Sequence, residues 1–302
     1  MRVLIVGCGY LGLPLGAELV KQGHEVFGIR RSAAAAAELT AAGLTPLQAD
    51  ISRPEDLARL PAGYDWVVNC VASSHGDAND YRAVYLQGTR NLLAWLLPTP
   101  PKKFVYTSST SVYGQNDGSL VKENSPTTPE PETGKVLVET EQVLLDAARA
   151  QKFPAVNLRL AGIYGPGRGY WFKQYLKDEA RIEGTGARLM NMIHRDDAIG
   201  AILAALKNGR AGEVYNVVDD EPVSQFNFFQ WLSGPLGKEL PPTVPEDAEV
   251  IRKRGVTNKK VSNRRLKMEL GYQFKYPTYR QGYTAEILRL DRAGELDPKK
   301  PA

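Results

Sequence analysis

The sequence predicts an α/β fold, a doubly wound parallel sheet followed by a smaller, mostly helical C-terminal unit. Three observations predict it. Short runs that are apolar throughout alternate with helical patterns along the first half of the chain, as strands buried on both faces require. A glycine-punctuated turn directly follows the first of these runs. After Pro166 the alternation stops, and helices joined by Pro- and Gly-containing segments take over. Right-handed crossovers between parallel strands then wind the sheet both ways.

The elements follow in order. RVLIVG reads as a strand and LGLPLGAELVKQG as a helix closed by Gly23. HEVFGI is a second strand, SAAAAAELTAAG a second helix, and LTPLQAD and DWVVNCVA are third and fourth strands. YRAVYLQGTRNLLAWLL is one long helix stopped by Pro98. KKFVYTSS and PAVNLRLAGI are fifth and sixth strands, with the helix GKVLVETEQVLLDAARAQ between them. Beyond Pro166, YWFKQYLKDEARI, HRDDAIGAILAAL and FNFFQWLSG read as helices and EVYNVV as one further strand. PLGKELPPTVPEDAE reads as a surface linker, and the tail GELDPKKPA as frayed.

Composition removes several function classes. Lys plus Arg minus Asp plus Glu is 38 − 34 = +4, concentrated in runs such as IRKRG and NRRLK. That excess reads as a solvated basic face and does not argue for nucleic acid. The opening residues are too rich in glycine for a signal peptide, and Glu18 interrupts them. No run of eighteen uncharged apolar residues exists, so no membrane span is expected. Cys8 and Cys70 lie in apolar runs and read as buried free thiols of a reducing compartment, which points to a cytoplasmic protein. His24, His75 and His194 are scattered without ligand spacing, so no metal site is expected.

Gly7, Gly9 and Gly12 form G-x-G-x-x-G between a strand and a helix. Gly7 suits the tight turn, Gly9 lets backbone approach a pyrophosphate, and Gly12 lets helix and strand pack closely. The helix N-terminus then offers free N–H groups and partial positive charge to the phosphates. This is the dinucleotide-binding, or Rossmann, fingerprint. An acid at the end of the second strand would hold the ribose 2′-OH of NAD. Arg30, Arg31 and Ser32 stand there instead and suit a 2′-phosphate, so NADP is expected rather than NAD. Asp50, ending the third strand, is placed for the adenine amino group, or for a turn cap near Ser52 and Pro54. The expected organisation is a dinucleotide-binding unit over 1–166, rejoined by 194–219, and a smaller substrate-binding unit over 167–302.

Beyond VGCGYLG, the chain carries Asp50-Ile51 at a strand end, the fourth strand VVNCVA, GTRNLL, VYTSSTSVYG, RLAGIYGPG, IHRDDA and Tyr215–Val217. In these it resembles the extended short-chain dehydrogenase/reductases, the NAD(P)-dependent epimerase/dehydratase group, over nearly its whole length. The resemblance implies a coenzyme set of the glycine turn with Tyr10 and Leu11, then Arg30, Arg31, Ser32, Asp50, Ile51, Val71, Ala72, Lys135 and Ile163. It implies a small-molecule substrate held by Ser109, Tyr164, Arg168 and Tyr170 in a cleft whose mouth includes Trp171 and Phe172. Members commonly form homodimers through the helices carrying GTRNLL and Lys135.

The family's catalytic set is Ser or Thr with Tyr and Lys in Y-x-x-x-K. Positions i and i+4 of a helix share a face, and an ammonium there favours the phenolate of a group with an ordinary pKa of about 10. That phenolate exchanges a proton with the substrate oxygen. Ser109 matches the serine and Lys135 the lysine, which also bonds the nicotinamide ribose. Pro131 stands at the tyrosine position, Gly134 replaces the usual Ser or Thr, and Tyr85 stands where the long helix often carries Asn. This pattern is most similar to an atypical subgroup without the tyrosine. Lys135 alternatively pairs with Glu139 as a surface residue.

Tyr113 is the leading candidate to replace the proton donor, followed by Tyr164, Glu132 and Thr133. Taken singly, the two tyrosines read first as packing aromatics, and Glu132 and Thr133 as first-turn helix residues. His194 reads as structural, with Asp196 and Asp197 serving the helix N-terminus. Gly162, where sugar-nucleotide enzymes commonly carry Asn, argues against a nucleotide sugar, and Arg168 is open to an anionic group or to solvent. Two functions stay open: an NAD(P)-dependent oxidoreductase or epimerase/dehydratase-like enzyme acting on a hydroxyl or carbonyl, and a catalytically silent NADP-binding sensor.

Overall fold

The computed structural model describes residues 1–73, 76–245 and 257–296. The IRKRG run, the expected linker from residue 246, His75 and the tail from residue 297 lie outside the described residues. Seven strands form one sheet: β1 (Arg2–Val6), β2 (Glu25–Arg30), β3 (Thr45–Gln48), β4 (Trp66–Asn69), β5 (Lys103–Ser109), β6 (Ala155–Leu160) and β7 (Val214–Val217). Their order is β7-β6-β5-β4-β1-β2-β3, and every pair is parallel. The chain winds outward from β1 to β3, returns to β4, and winds the other way to β7. The strand ends between β1 and β4 therefore open a crevice, the place where doubly wound sheets bind ligands.

Burial explains the strand sequences. All residues of β4, β6 and β7 are buried, as are four of the five in β1. The edge strand β3 is largely exposed and tolerates Pro46, opposite Gly28, because an edge need not donate every N–H. The helices that position the site are α1 (Gly12–Lys21), α2 (Gly88–Leu96), α3 (Glu132–Gln151) and α4 (Arg195–Asn208). Buried apolar residues fall into two clusters. One covers both faces of the sheet. The other is rich in aromatics, including Phe172, Phe228, Phe229, Tyr279 and Tyr283. Tyr164 stacks on Tyr283 there, with centroids 4.3 Å apart.

Three expected elements differ. The helix expected over 170–182 ends at Leu176, because Asp178 adopts φ 60° and Ile182–Glu183 pairs as a strand with Thr243–Val244. The PAVNLRLAGI run splits: β6 stays in the sheet, while Gly162–Tyr164 pairs with Met192–His194. The long helix starts early, at Ala78, and passes through a π-helical stretch, Arg82–Gln87, before α2.

Candidate functional site

The carboxyl ends of β1 to β6 surround a cleft of about 380 Å³. At its floor, Gly7 has φ +92°, and a Cβ there would lie 2.7 Å from Val71 backbone atoms. A Cβ on Gly12 would lie 2.3 Å from the Gly7 carbonyl oxygen. These two glycines are thus demanded by packing of the turn against β4 and α1. Gly9 borders the cleft, and a Cβ on it would meet nothing within 4 Å. No side chain caps the N-terminus of α1. A bare backbone turn facing open space at an uncapped helix end fits a dinucleotide's diphosphate.

Arg30, Arg31, Asp50 and Ile51 line one end of the cleft. Arg30 also donates to the Cys8 carbonyl, which fixes its direction. Asp50 Oδ1 accepts from the Ser52 amide at 2.9 Å and the Ser52 hydroxyl at 2.7 Å, so it caps this turn as well as bordering the cleft. Ser32 does not border the cleft; its hydroxyl accepts from the Ala34 amide at 3.3 Å.

Val71, Ala72, Tyr81, Tyr85, Ser109, Ile163 and Arg168 line the other end. Ser109 Oγ accepts from the Ser111 amide at 3.2 Å, which leaves its own proton to donate. Tyr85 accepts from the Ser73 amide at 3.2 Å. Tyr10 lies under the guanidinium groups of Arg168 and Arg195, 4.9 and 5.5 Å from its centroid, and donates to the Pro166 carbonyl at 3.2 Å. Burial pushes its phenol up, against the pull of Arg195 and Arg168. Both thiols are pushed up by burial, Cys8 to about 12, and stay protonated.

Besides Ser32, four expected site residues lie away from the cleft lining. Tyr113 is fully buried; its hydroxyl accepts from Arg159 Nη1 and donates to Asn216 Oδ1, both at 2.8 Å. Burial pushes that phenol up and the network holds it, so it is not presented to the cleft. Tyr164 is a buried packing ring whose hydroxyl donates to the Thr278 carbonyl at 3.4 Å. Tyr170 is exposed against Trp171. Lys135 is exposed, and its ammonium sits 2.6 Å from Glu132, one turn before it, instead of on Glu139. Glu139 pairs with Arg82.

His194 caps α4: its Nδ1 accepts from the Asp196 amide at 3.1 Å. Asp197 does not serve that terminus. Its buried carboxylate accepts from the Tyr272 hydroxyl and the Lys275 and Tyr276 amides, and so ties the C-terminal segment to α4. Glu286 accepts from the Gly167 amide at 2.9 Å and holds the loop that carries Arg168. Neither role shows in the sequence, because each joins residues far apart in the chain.

Asp219 is almost fully buried. Its Oδ1 accepts from the Glu221 amide at 3.2 Å, while Oδ2 has no partner among the described residues. Burial raises the carboxyl to about 8. The folded state therefore binds this proton more tightly than the unfolded chain, whose ordinary value is about 3.9. The resulting stability is complete below about pH 4 and is lost as pH rises towards 8. Asp219→Asn is expected to exceed the parent in stability at pH 7.5 by roughly 2–4 kcal/mol, with the gap closing near pH 4. Denaturation curves across that range check it; a gap independent of pH would refute the assignment.

Residues 3–218 match the model of the NAD dependent epimerase/dehydratase family, and the chain belongs to that family. Protein YeeZ of Escherichia coli K12 is 29% identical over 286 residues, covering 91% of this chain and 96% of YeeZ. A functionally unknown conserved protein from Silicibacter pomeroyi is 29% identical with a TM-score of 0.79, covering 96% of this chain and 99% of its own. DesIV, the dTDP-glucose 4,6-dehydratase of Streptomyces venezuelae solved with NAD bound, shares the fold at 23% identity. Its TM-score is 0.83 over 99% of this chain and 100% of DesIV. Among the described residues, no helix is long and apolar enough to cross a membrane, and no group of three or more His, Cys, Asp or Glu could hold a metal ion.

Proposed function

We propose that this protein is an NADP-linked oxidoreductase of the epimerase/dehydratase type, acting on a hydroxyl or carbonyl carbon of a sugar derivative. The observation that supports it best is one continuous cleft running from Arg31 and Asp50, past the glycine turn, to Ser109. When bound, the nicotinamide ring supplies or accepts hydride. The chain does the rest. The turn at Gly9 and the N-terminus of α1 hold the diphosphate. Arg30 and Arg31 hold the 2′-phosphate, and no acidic side chain stands at the end of β2 to claim a 2′-OH. The Ser109 hydroxyl donates to the substrate oxygen and fixes the carbon beside it. Arg168, held over Tyr10 at the cleft mouth, suits an anionic substituent.

Arg31→Ala is expected to weaken NADP by about 10- to 100-fold, the range of a lost charge-assisted hydrogen bond, and NAD by little. Calorimetry with both coenzymes checks it, and equal weakening would remove the 2′-phosphate assignment.

Pro131 and the outward engagement of Lys135 favour a second reading, a coenzyme-binding sensor without turnover. NADPH oxidation over a panel of carbonyl and sugar substrates, with Ser109→Ala as comparison, decides between them. Turnover that falls in the variant while coenzyme affinity holds supports the enzyme. Tight binding with no turnover supports the sensor.

A further inference from the structure

We infer that Tyr81 supplies the phenol that the chain lacks at Pro131. This rests on the enzymatic reading above and names its proton donor. Beside the main cleft lies a second, smaller cavity of about 80 Å³, bordered by Ser111, Asn116, Pro131, Thr133 and Thr257. Pro131 is the N-cap of α3, so this space is where a side chain at the family's tyrosine position would begin. Tyr81 is the residue that borders both the main cleft and this cavity. The two spaces also approach each other at the Ser109–Ser111 turn, where Ser109 Oγ accepts from the Ser111 amide.

The other tyrosines bordering either space have their hydroxyls engaged. Tyr10 donates to the Pro166 carbonyl and Tyr113 is locked between Arg159 and Asn216, while Tyr85 is held by the Ser73 amide and does not border the cavity at Pro131. The Tyr81 hydroxyl has no hydrogen-bond partner among the described residues, although the residue is only 7% exposed. Its ring is fixed against Tyr85, centroids 4.8 Å apart, in the first turn of the long helix, which packs on α3. A held ring with an uncommitted hydroxyl at the Ser109 end of the cleft is what a proton donor requires. The family's phenol has in effect moved from α3 to the neighbouring helix.

In the reducing direction, a bound reduced nicotinamide coenzyme would supply the hydride that reduces the substrate carbonyl carbon, and would itself be oxidised. The Tyr81 O–H bond breaks, and its proton joins the carbonyl oxygen to give the alcohol. The Tyr81 phenolate then regains its proton from bulk solvent, so one solvent proton is consumed per turnover. Ser109 donates to the same oxygen throughout.

Tyr81→Phe removes the hydroxyl and keeps the ring. The variant is expected to melt with the parent and bind NADPH within about twofold, while turnover falls at least about 100-fold, the usual scale of a lost general acid. A readout independent of turnover is the Tyr81 ring carbon resonance in ¹³C-tyrosine-labelled protein, assigned by its absence in Tyr81→Phe. It should shift on adding NADP and not on adding 2′-phospho-ADP-ribose, which lacks the nicotinamide. A resonance indifferent to NADP, or a fully active Tyr81→Phe, overturns the inference and leaves the enzymatic reading standing. A parent protein that binds NADPH but turns over no substrate overturns both.

Discussion

Gly9→Val is expected to fold normally and lose its coenzyme, whereas Gly7→Ala is expected to lose both stability and coenzyme. The difference follows from what each new Cβ would meet. At Gly9 it would meet nothing within 4 Å, and the backbone there lies outside the left-handed region. The valine methyl groups then stand where the diphosphate must approach the amides of the turn. Affinity should fall by more than about 100-fold, the loss of several phosphate hydrogen bonds at a helix terminus, with the melting curve unmoved. At Gly7 the residue has φ +92°, and the Cβ would press on Val71 N and Cα at 2.7 Å and on Cys70 C at 2.9 Å. All three are backbone atoms at the end of β4 and cannot rotate away. Strain of about 1–3 kcal/mol from the dihedral adds to a similar cost of overpacking. Chemical denaturation and calorimetry on the two variants check this. A Gly9→Val that binds either coenzyme normally would remove the diphosphate from this turn.

The contrast explains what could be read in the sequence. The glycine turn was legible because its demands are local: a positive φ, a close approach and a helix start, all within six residues. The sheet was legible because full burial of parallel strands leaves an unbroken apolar record. His194 was legible as structural at a helix start, but its capping bond to the Asp196 amide was not, because the sequence pattern assigned that terminus to Asp196 and Asp197. The helix expected through Asp178 failed where a left-handed residue and a partner strand overrode helical spacing. Lys135 pairs with Glu132 and not Glu139, although both lie within helical reach; Arg82, from a different helix, takes Glu139. Tyr113 looked placed for proton transfer from its neighbourhood to Ser109 in sequence. Which way its phenol faces depends on Arg159 and Asn216, more than forty residues away. Tyr81 drew no notice in the sequence for the converse reason: what singles it out is a hydroxyl with no hydrogen-bond partner among the described residues and a place bordering two spaces.

The same long-range logic makes Glu141→Ala the most damaging exchange expected outside the cleft. Glu141 and Arg159 are both nearly inaccessible to solvent. Arg159 Nη2 donates to Glu141 Oε2 at 2.6 Å, its Nε reaches both carboxylate oxygens at 3.1 Å, and its Nη1 donates to the Tyr113 hydroxyl and the Glu123 carbonyl. Glu141 also accepts from Ser108, the neighbour of Ser109 at the end of β5. Burial pulls the guanidinium's pKa down, but Glu141 and Tyr113 more than reverse this, so it stays charged. Removing the carboxylate leaves that buried charge without its counter-ion, which costs about 3–5 kcal/mol. Replacing both partners, as in Glu141→Leu with Arg159→Met, should cost less than the single change, because no unpaired charge remains. Urea denaturation of Glu141→Leu, Arg159→Met and the double forms the cycle that measures this. If the double proves as unstable as the sum of the singles, the pair is not coupled, and the strand end beneath Ser109 must be held by packing alone.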